Sequence, residues 1–104
     1  LDKIELCRVI GNILDNAIEG CRRSELPEQH IYISMQQLDD KIVIEISNSA
    51  KDVDLNNLQT SKKNMSAHGI GISSIQSSVE KLNGYMKYDF ENNVFSLKMV
   101  VPNK

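Results

Sequence analysis

The hydrophobic period changes along this chain, and that change limits the available folds more than any other feature. In IELCRVIGNILDNAIEGC, Leu6, Val9, Ile10, Ile13, Ala17 and Cys21 recur at spacings of three and four, which predicts an amphipathic helix over 3–22. Pro27 ends the connection that follows. HIYISMQQL (30–38) and KIVIEIS (41–47) then alternate, with Ile31, Ile33, Met35 and Ile42, Ile44, Ile46 on single faces. Asp39-Asp40 between them suits a short hairpin turn. Helical spacing returns at Ile72, Ile75, Val79 and Leu82, with Asn83-Gly84 as a stop. YMKYDF (85–90) and VFSLKMVV (94–101) predict two more strands, hinged at Glu91-Asn92-Asn93 and closed by Pro102.

The order is helix, hairpin, polar loop, helix, hairpin. Helices on one face of a mixed, largely antiparallel sheet give an α/β two-layer sandwich, and 104 residues make one domain. The loop over 49–68, SAKDVDLNNLQTSKKNMSAH, is polar and irregular, with Leu55 and Leu58 as its internal anchors. A loop that long in a compact domain is usually functional, often a lid. The chain opens directly on a helical pattern, as a piece of a longer protein would.

Composition excludes some classes of function. A net charge of −2 leaves no basic footprint for nucleic acid or anionic lipid. Three tyrosines, two phenylalanines and no tryptophan argue against a base-stacking platform. No apolar run approaches the ~20 residues that span a bilayer, and no signal peptide is visible. Cys7 and Cys21 fall on one predicted helix, roughly 21 Å apart at 1.5 Å per residue. That is too far for a disulfide, so they read as small core residues in a reducing compartment.

Two features carry chemistry. At about 100° per residue, Asn12 and Asn16 lie together at one edge of the first helix's apolar arc, on a stripe with Glu5, Glu19 and Arg23. Asparagine is a poor helix former, so a pair of them needs a reason. The plain alternative is two solvated amides. The functional alternative is amide oxygens facing a hard cation or polar ligand, since Mg²⁺ keeps most of its waters and accepts such a neutral ligand. The second feature is SAHGIGISSI (66–75), where Gly69 and Gly71 open the second helix. Glycines there permit a nest of backbone N–H groups at the helix's positive end, or merely a tight turn. It is neither the dinucleotide fingerprint nor a Walker A loop, lacking the third spaced glycine and GK[ST]. Lys62 and Lys63 stand just upstream, as surface charge or as mobile partners for phosphate.

Together these pieces resemble the ATP-binding domain of the GHKL superfamily, shared by gyrase, heat-shock chaperones, histidine kinases and MutL. NILDNAIE (12–19) resembles the histidine-kinase N-box, ISNSA (46–50) stands at the first glycine box, AHGIGI (67–72) resembles the second, and VFSLKMVVP resembles the closing strand. The resemblance covers nearly the whole chain in the correct order. The NxxDNAIE form, the TSKK lid and HGIG are most similar to peptide-pheromone sensor kinases of the accessory-gene-regulator type.

The resemblance implies a Bergerat-type fold and the ATP-binding catalytic domain, 1–104, of a two-component sensor histidine kinase. It implies Asn16 as the Mg²⁺ ligand and Asn12 as a catalytic residue facing the phosphates, where ATP-hydrolysing relatives carry a glutamate. Asparagine cannot act as general base, which favours phosphoryl transfer to a protein. Asn48 would accept from the adenine amino group. Gly69, Ile70, Gly71 and Ile72 would line the phosphates, with His68, Lys62 and Lys63 near them. The implied partners are ATP, an upstream dimerisation domain bearing the acceptor histidine, and a response regulator downstream, with no nucleic acid. The domain would be cytoplasmic, in a membrane-anchored homodimer, and inactive without its acceptor domain. Ala50, Ala67 and Glu19 depart from the family pattern, the first two replacing glycines and the third a lysine, with Lys62 or Lys63 available to offset Glu19. Two alternatives stand beside this reading: an anti-sigma-factor-type serine kinase, and a degenerate nucleotide-binding or interaction module.

Overall fold

A computed structural model describes residues 1–51, 53 and 72–103. Helix α1 spans Lys3–Ser24. Asp2 caps it, its side chain accepting from the Glu5 N–H at 3.0 Å. Glu25 ends it in the left-handed region at φ 53°. Strands β1 (Ile31–Leu38) and β2 (Lys41–Ser49) follow as a hairpin, turning at Asp39 and Asp40 with Asp39 at φ 57°.

Helix α2 spans Ile72–Lys81 and stops as the Asn83-Gly84 pair predicts. Asn83 takes φ 61°, its N–H reaches the Glu80 carbonyl at 2.9 Å, and the Gly84 N–H reaches Val79 at 3.0 Å. Those two bonds give the Glu80 and Val79 carbonyls partners at the helix end. Gly84 also needs its missing side chain, because a Cβ there would collide with the Val100 carbonyl of the neighbouring strand. Strands β3 (Tyr85–Glu91) and β4 (Val94–Pro102) close the fold. Asn92 and Asn93, both at positive φ (53° and 61°), form the two-residue turn whose twist matches a hairpin.

The sheet order is β1-β2-β4-β3, and each pairing among the described strands is antiparallel. The mixed sheet expected from the sequence is therefore antiparallel throughout that part. Both helices pack on one face. Val9, Ile13 and Ala17 of α1 and Ile72, Ile75 and Val79 of α2 bury themselves against Ile44, Ile46, Leu97, Met99 and Val101. The register runs Met35, Ile44, Met99, Met86 and Ile33, Ile46, Leu97, Tyr88 across the sheet.

Two expectations need correction. Cys7 is exposed while Cys21 is buried, and both are free thiols. The buried line of α1 is Val9, Ile13, Ala17 and Cys21, with Ile10 only partly buried beside it, so Cys7 turns to solvent. The polar loop's opening residues are also ordinary structure. Ser49 completes β2, and Ala50 is buried with its N–H on the Asn93 carbonyl at 2.9 Å.

Candidate nucleotide site

Asn12 and Asn16 are partly buried on α1, at the border of its core face. One turn further on stands Gly20. A glycine inside a helix costs about 0.5–1 kcal/mol relative to alanine, so its position asks for a cause. A Cβ at Gly20 would lie 2.6 Å from Asn48 Nδ2. The stripe Asn12, Asn16, Gly20 therefore leads directly onto Asn48, at the end of β2, which is 4% exposed.

Asn48 Nδ2 donates to the Ser49 carbonyl at 2.9 Å. That uses one of the amide's two N–H donors internally, while Oδ1, an acceptor, has no hydrogen-bond partner among the described residues. Ser49 fixes this end of the site in turn. Its hydroxyl accepts from the His30 N–H at 2.8 Å, and its own N–H donates to the His30 carbonyl at 3.0 Å. Cys21 Sγ, on the buried face of α1, points to the same carbonyl at 3.4 Å. His30 itself is exposed at the head of β1, close to Glu28 at 3.9 Å.

Asn12 and Gly20 are eight residues apart, roughly 12 Å along the helix axis. The stripe can thus face an elongated ligand, with a neutral acceptor at one end and two amides along the other. Glu19 lies beside it but is not an unbalanced charge. Arg22 contacts its carboxylate at 2.6 Å and Arg23 at 3.6 Å, so its own helix supplies neutralising cations.

Ile72 opens α2 at 3% exposure and its side chain belongs to the core, which leaves its backbone as the part able to serve a ligand. Lys62, Lys63, His68, Gly69, Ile70 and Gly71 lie outside the described residues, as does most of the 49–68 lid. Among the described residues no group of His, Cys, Asp or Glu could hold a metal ion. A shallow depression on the opposite face of the sheet, lined by Lys41, Lys87 and Lys98, contains none of the predicted site residues.

Sequence reading missed Gly20 and the Arg22–Glu19–Arg23 cluster. Both had a signal: a glycine four residues after Asn16 inside a helix, and arginines three and four residues after a glutamate.

The family model described as the GHKL domain matches residues 1–102. Among solved structures, the nucleotide-free catalytic domain of histidine kinase ThkA superposes with a TM-score of 0.71 at 18% identity, covering 98% of this chain and 68% of that one. The Acinetobacter baumannii histidine kinase AdeS gives 0.72 at 14% identity, over 99% and 48%. The structure of ThkA in complex with the response regulator protein TrrA gives 0.71 at 19%, over 99% and 30%. At these identities the likeness is one of fold. No curated protein matches the chain significantly.

Proposed function

The chain belongs to the GHKL domain family, and from that premise we propose that it is the ATP-binding catalytic domain of a two-component sensor histidine kinase. It would position Mg·ATP for transfer of the γ-phosphoryl group to a histidine on a separate dimerisation domain. The observation that carries this reading is the line from Asn12 and Asn16 through Gly20 to Asn48. It supplies amides for phosphate and metal at one end and a buried neutral acceptor at the other.

Asn16 suits Mg²⁺ as an uncharged oxygen at a half-buried position. A cation already held by phosphates and water needs little more from the protein. The metal, when bound, would neutralise charge on the phosphates. The chain's own part is positional. Asn48 accepts from the base, Asn12 donates to or orients the phosphates, and the buried core face of α1 holds both amides in place. Asn12 cannot act as a base, so positioning and charge neutralisation would supply the catalysis. The backbone of 69–72, with His68, Lys62 and Lys63, would complete the phosphate end.

We place the chain with the peptide-pheromone sensor kinases of the accessory-gene-regulator type, on the NxxDNAIE and HGIG sequences. The whole protein would be a membrane-anchored homodimer, with this domain in the cytoplasm and a response regulator as its downstream partner. A degenerate interaction module loses one of its motives at Ala50. That residue does not occupy the positive-φ region and is buried in the core, so alanine satisfies the position as it stands.

Joining the domain to its dimerisation domain and incubating with γ-labelled ATP and Mg²⁺ tests the reading. Acid-labile, alkali-stable label on the dimerisation domain is the expected product, reduced at least tenfold by Asn12→Ala, which removes about 1.4 kcal/mol or more of positioning. Label on serine of a separate protein instead would replace this reading with the serine-kinase one.

A further inference from the structure

We propose that Gly20 is a positioning residue for Asn48, and that the pair selects a 6-amino purine over a 6-oxo purine. This rests on the nucleotide reading above and names a residue that the N-box pattern does not. A Cβ at Gly20 would stand 2.6 Å from Asn48 Nδ2 and 3.6 Å from its Cγ, the first far inside contact distance. Asn48 is 4% exposed, and its Nδ2 is held by the Ser49 carbonyl at 2.9 Å. Its Oδ1 has no hydrogen-bond partner among the described residues.

The amide is therefore held at its nitrogen by the Ser49 carbonyl, and the missing Cβ of Gly20 leaves the room that this orientation needs. A carboxylate is an acceptor in either orientation, but a carboxamide is an acceptor or a donor depending on which way it is turned. Asn48 can discriminate only if its rotation is fixed. With the nitrogen committed to Ser49, the oxygen accepts from an exocyclic amino group. A 6-oxo group would meet it lone pair to lone pair and leave both oxygens unsatisfied in a buried place. Any side chain at position 20 pushes Asn48 out of this orientation. That accounts for a glycine inside a helix that would otherwise be better served by alanine.

Calorimetric titration of the wild type, Gly20→Ala, Asn48→Ala and the double variant with Mg·ATP and Mg·ITP tests the proposal, with a thermal melt for each. The wild type is expected to prefer ATP about tenfold, the discrimination of one lost buried hydrogen bond. Gly20→Ala should lose about tenfold in ATP affinity and bring the two nucleotides within about twofold of each other. In the Asn48→Ala background the same glycine change should cost nothing further, because its collision partner is gone. If Gly20→Ala fails to fold, Asn48→Ala and the double variant carry the test. Equal affinity and folding in those two support the proposal, and an unfolded or weaker double variant overturns it. Gly20→Ala with wild-type affinity and preference overturns it while leaving the nucleotide reading intact. A wild type that binds neither nucleotide overturns the nucleotide reading itself.

Discussion

At the scale of single residues, the two glycines of α1 have opposite prospects. Gly11 is exposed, and a Cβ there meets nothing within 4 Å among the described residues. Gly11→Ala is expected to stabilise the fold by about 0.5–1 kcal/mol through the helix preference for alanine, read as a raised urea midpoint at unchanged slope. A lowered midpoint would mean that the helix is not regular at that point. Gly20 gains the same helical preference on substitution but meets Asn48. Sequence alone could not separate the two, because the difference lies in what β2 brings beneath the helix. The Glu19 cluster was legible at that scale, since i+3 and i+4 partners need no tertiary knowledge. The order of motifs proposes Asn48 as the acceptor, but the bond that fixes its amide on Ser49 is not readable there.

At the scale of elements, periodicity located each helix and strand because the core is one-sided. Residues at period 3.6 in α1 and α2 and period 2 in the strands meet in a single layer. Periodicity found β1 but not how much of it is covered. Ile33 and Met35 share a face with the buried Ile46 and Ile44 across the register, yet they remain 44% and 53% exposed because the helix layer stops short of this edge strand. An alternating strand shows which side is apolar, not whether anything covers it. Ile33→Ser should therefore cost less than about 1 kcal/mol, while Ile46→Ser, its register partner, should cost several. Equal losses in denaturant titrations would show that β1 is covered as fully as β2. The end of α2 offers a second check. Asn83 sits at φ 61°, where glycine is free of strain and a β-branched residue is not. Asn83→Val should destabilise by about 1–3 kcal/mol and Asn83→Gly should be neutral or stabilising.

At the scale of the whole molecule, the two-layer arrangement packs α1 on β2, so the helix stripe at Gly20 adjoins the strand end at Asn48. The helix carries amides in a line, the strand carries the buried Asn48, and Ala50, just past β2, is tied to the Asn93 turn. The family and its fold were legible from the order of N-box, glycine boxes and closing strand. The room at Gly20 was not, because it is a contact between a helix and a strand end rather than a motif. If that stripe is a nucleotide site, Mg·ATP at a hundred times its dissociation constant should stabilise the fold by about 2.7 kcal/mol. The most direct measurement is isothermal titration of the chain with ATP, with and without Mg²⁺, beside Asn16→Ala. Magnesium-dependent binding by the wild type, weakened at least tenfold and stripped of its magnesium dependence in the variant, is the predicted result, a difference of about 1.4 kcal/mol or more. Equal Mg·ATP binding by wild type and Asn16→Ala would contradict the assignment of that stripe to the metal and phosphates.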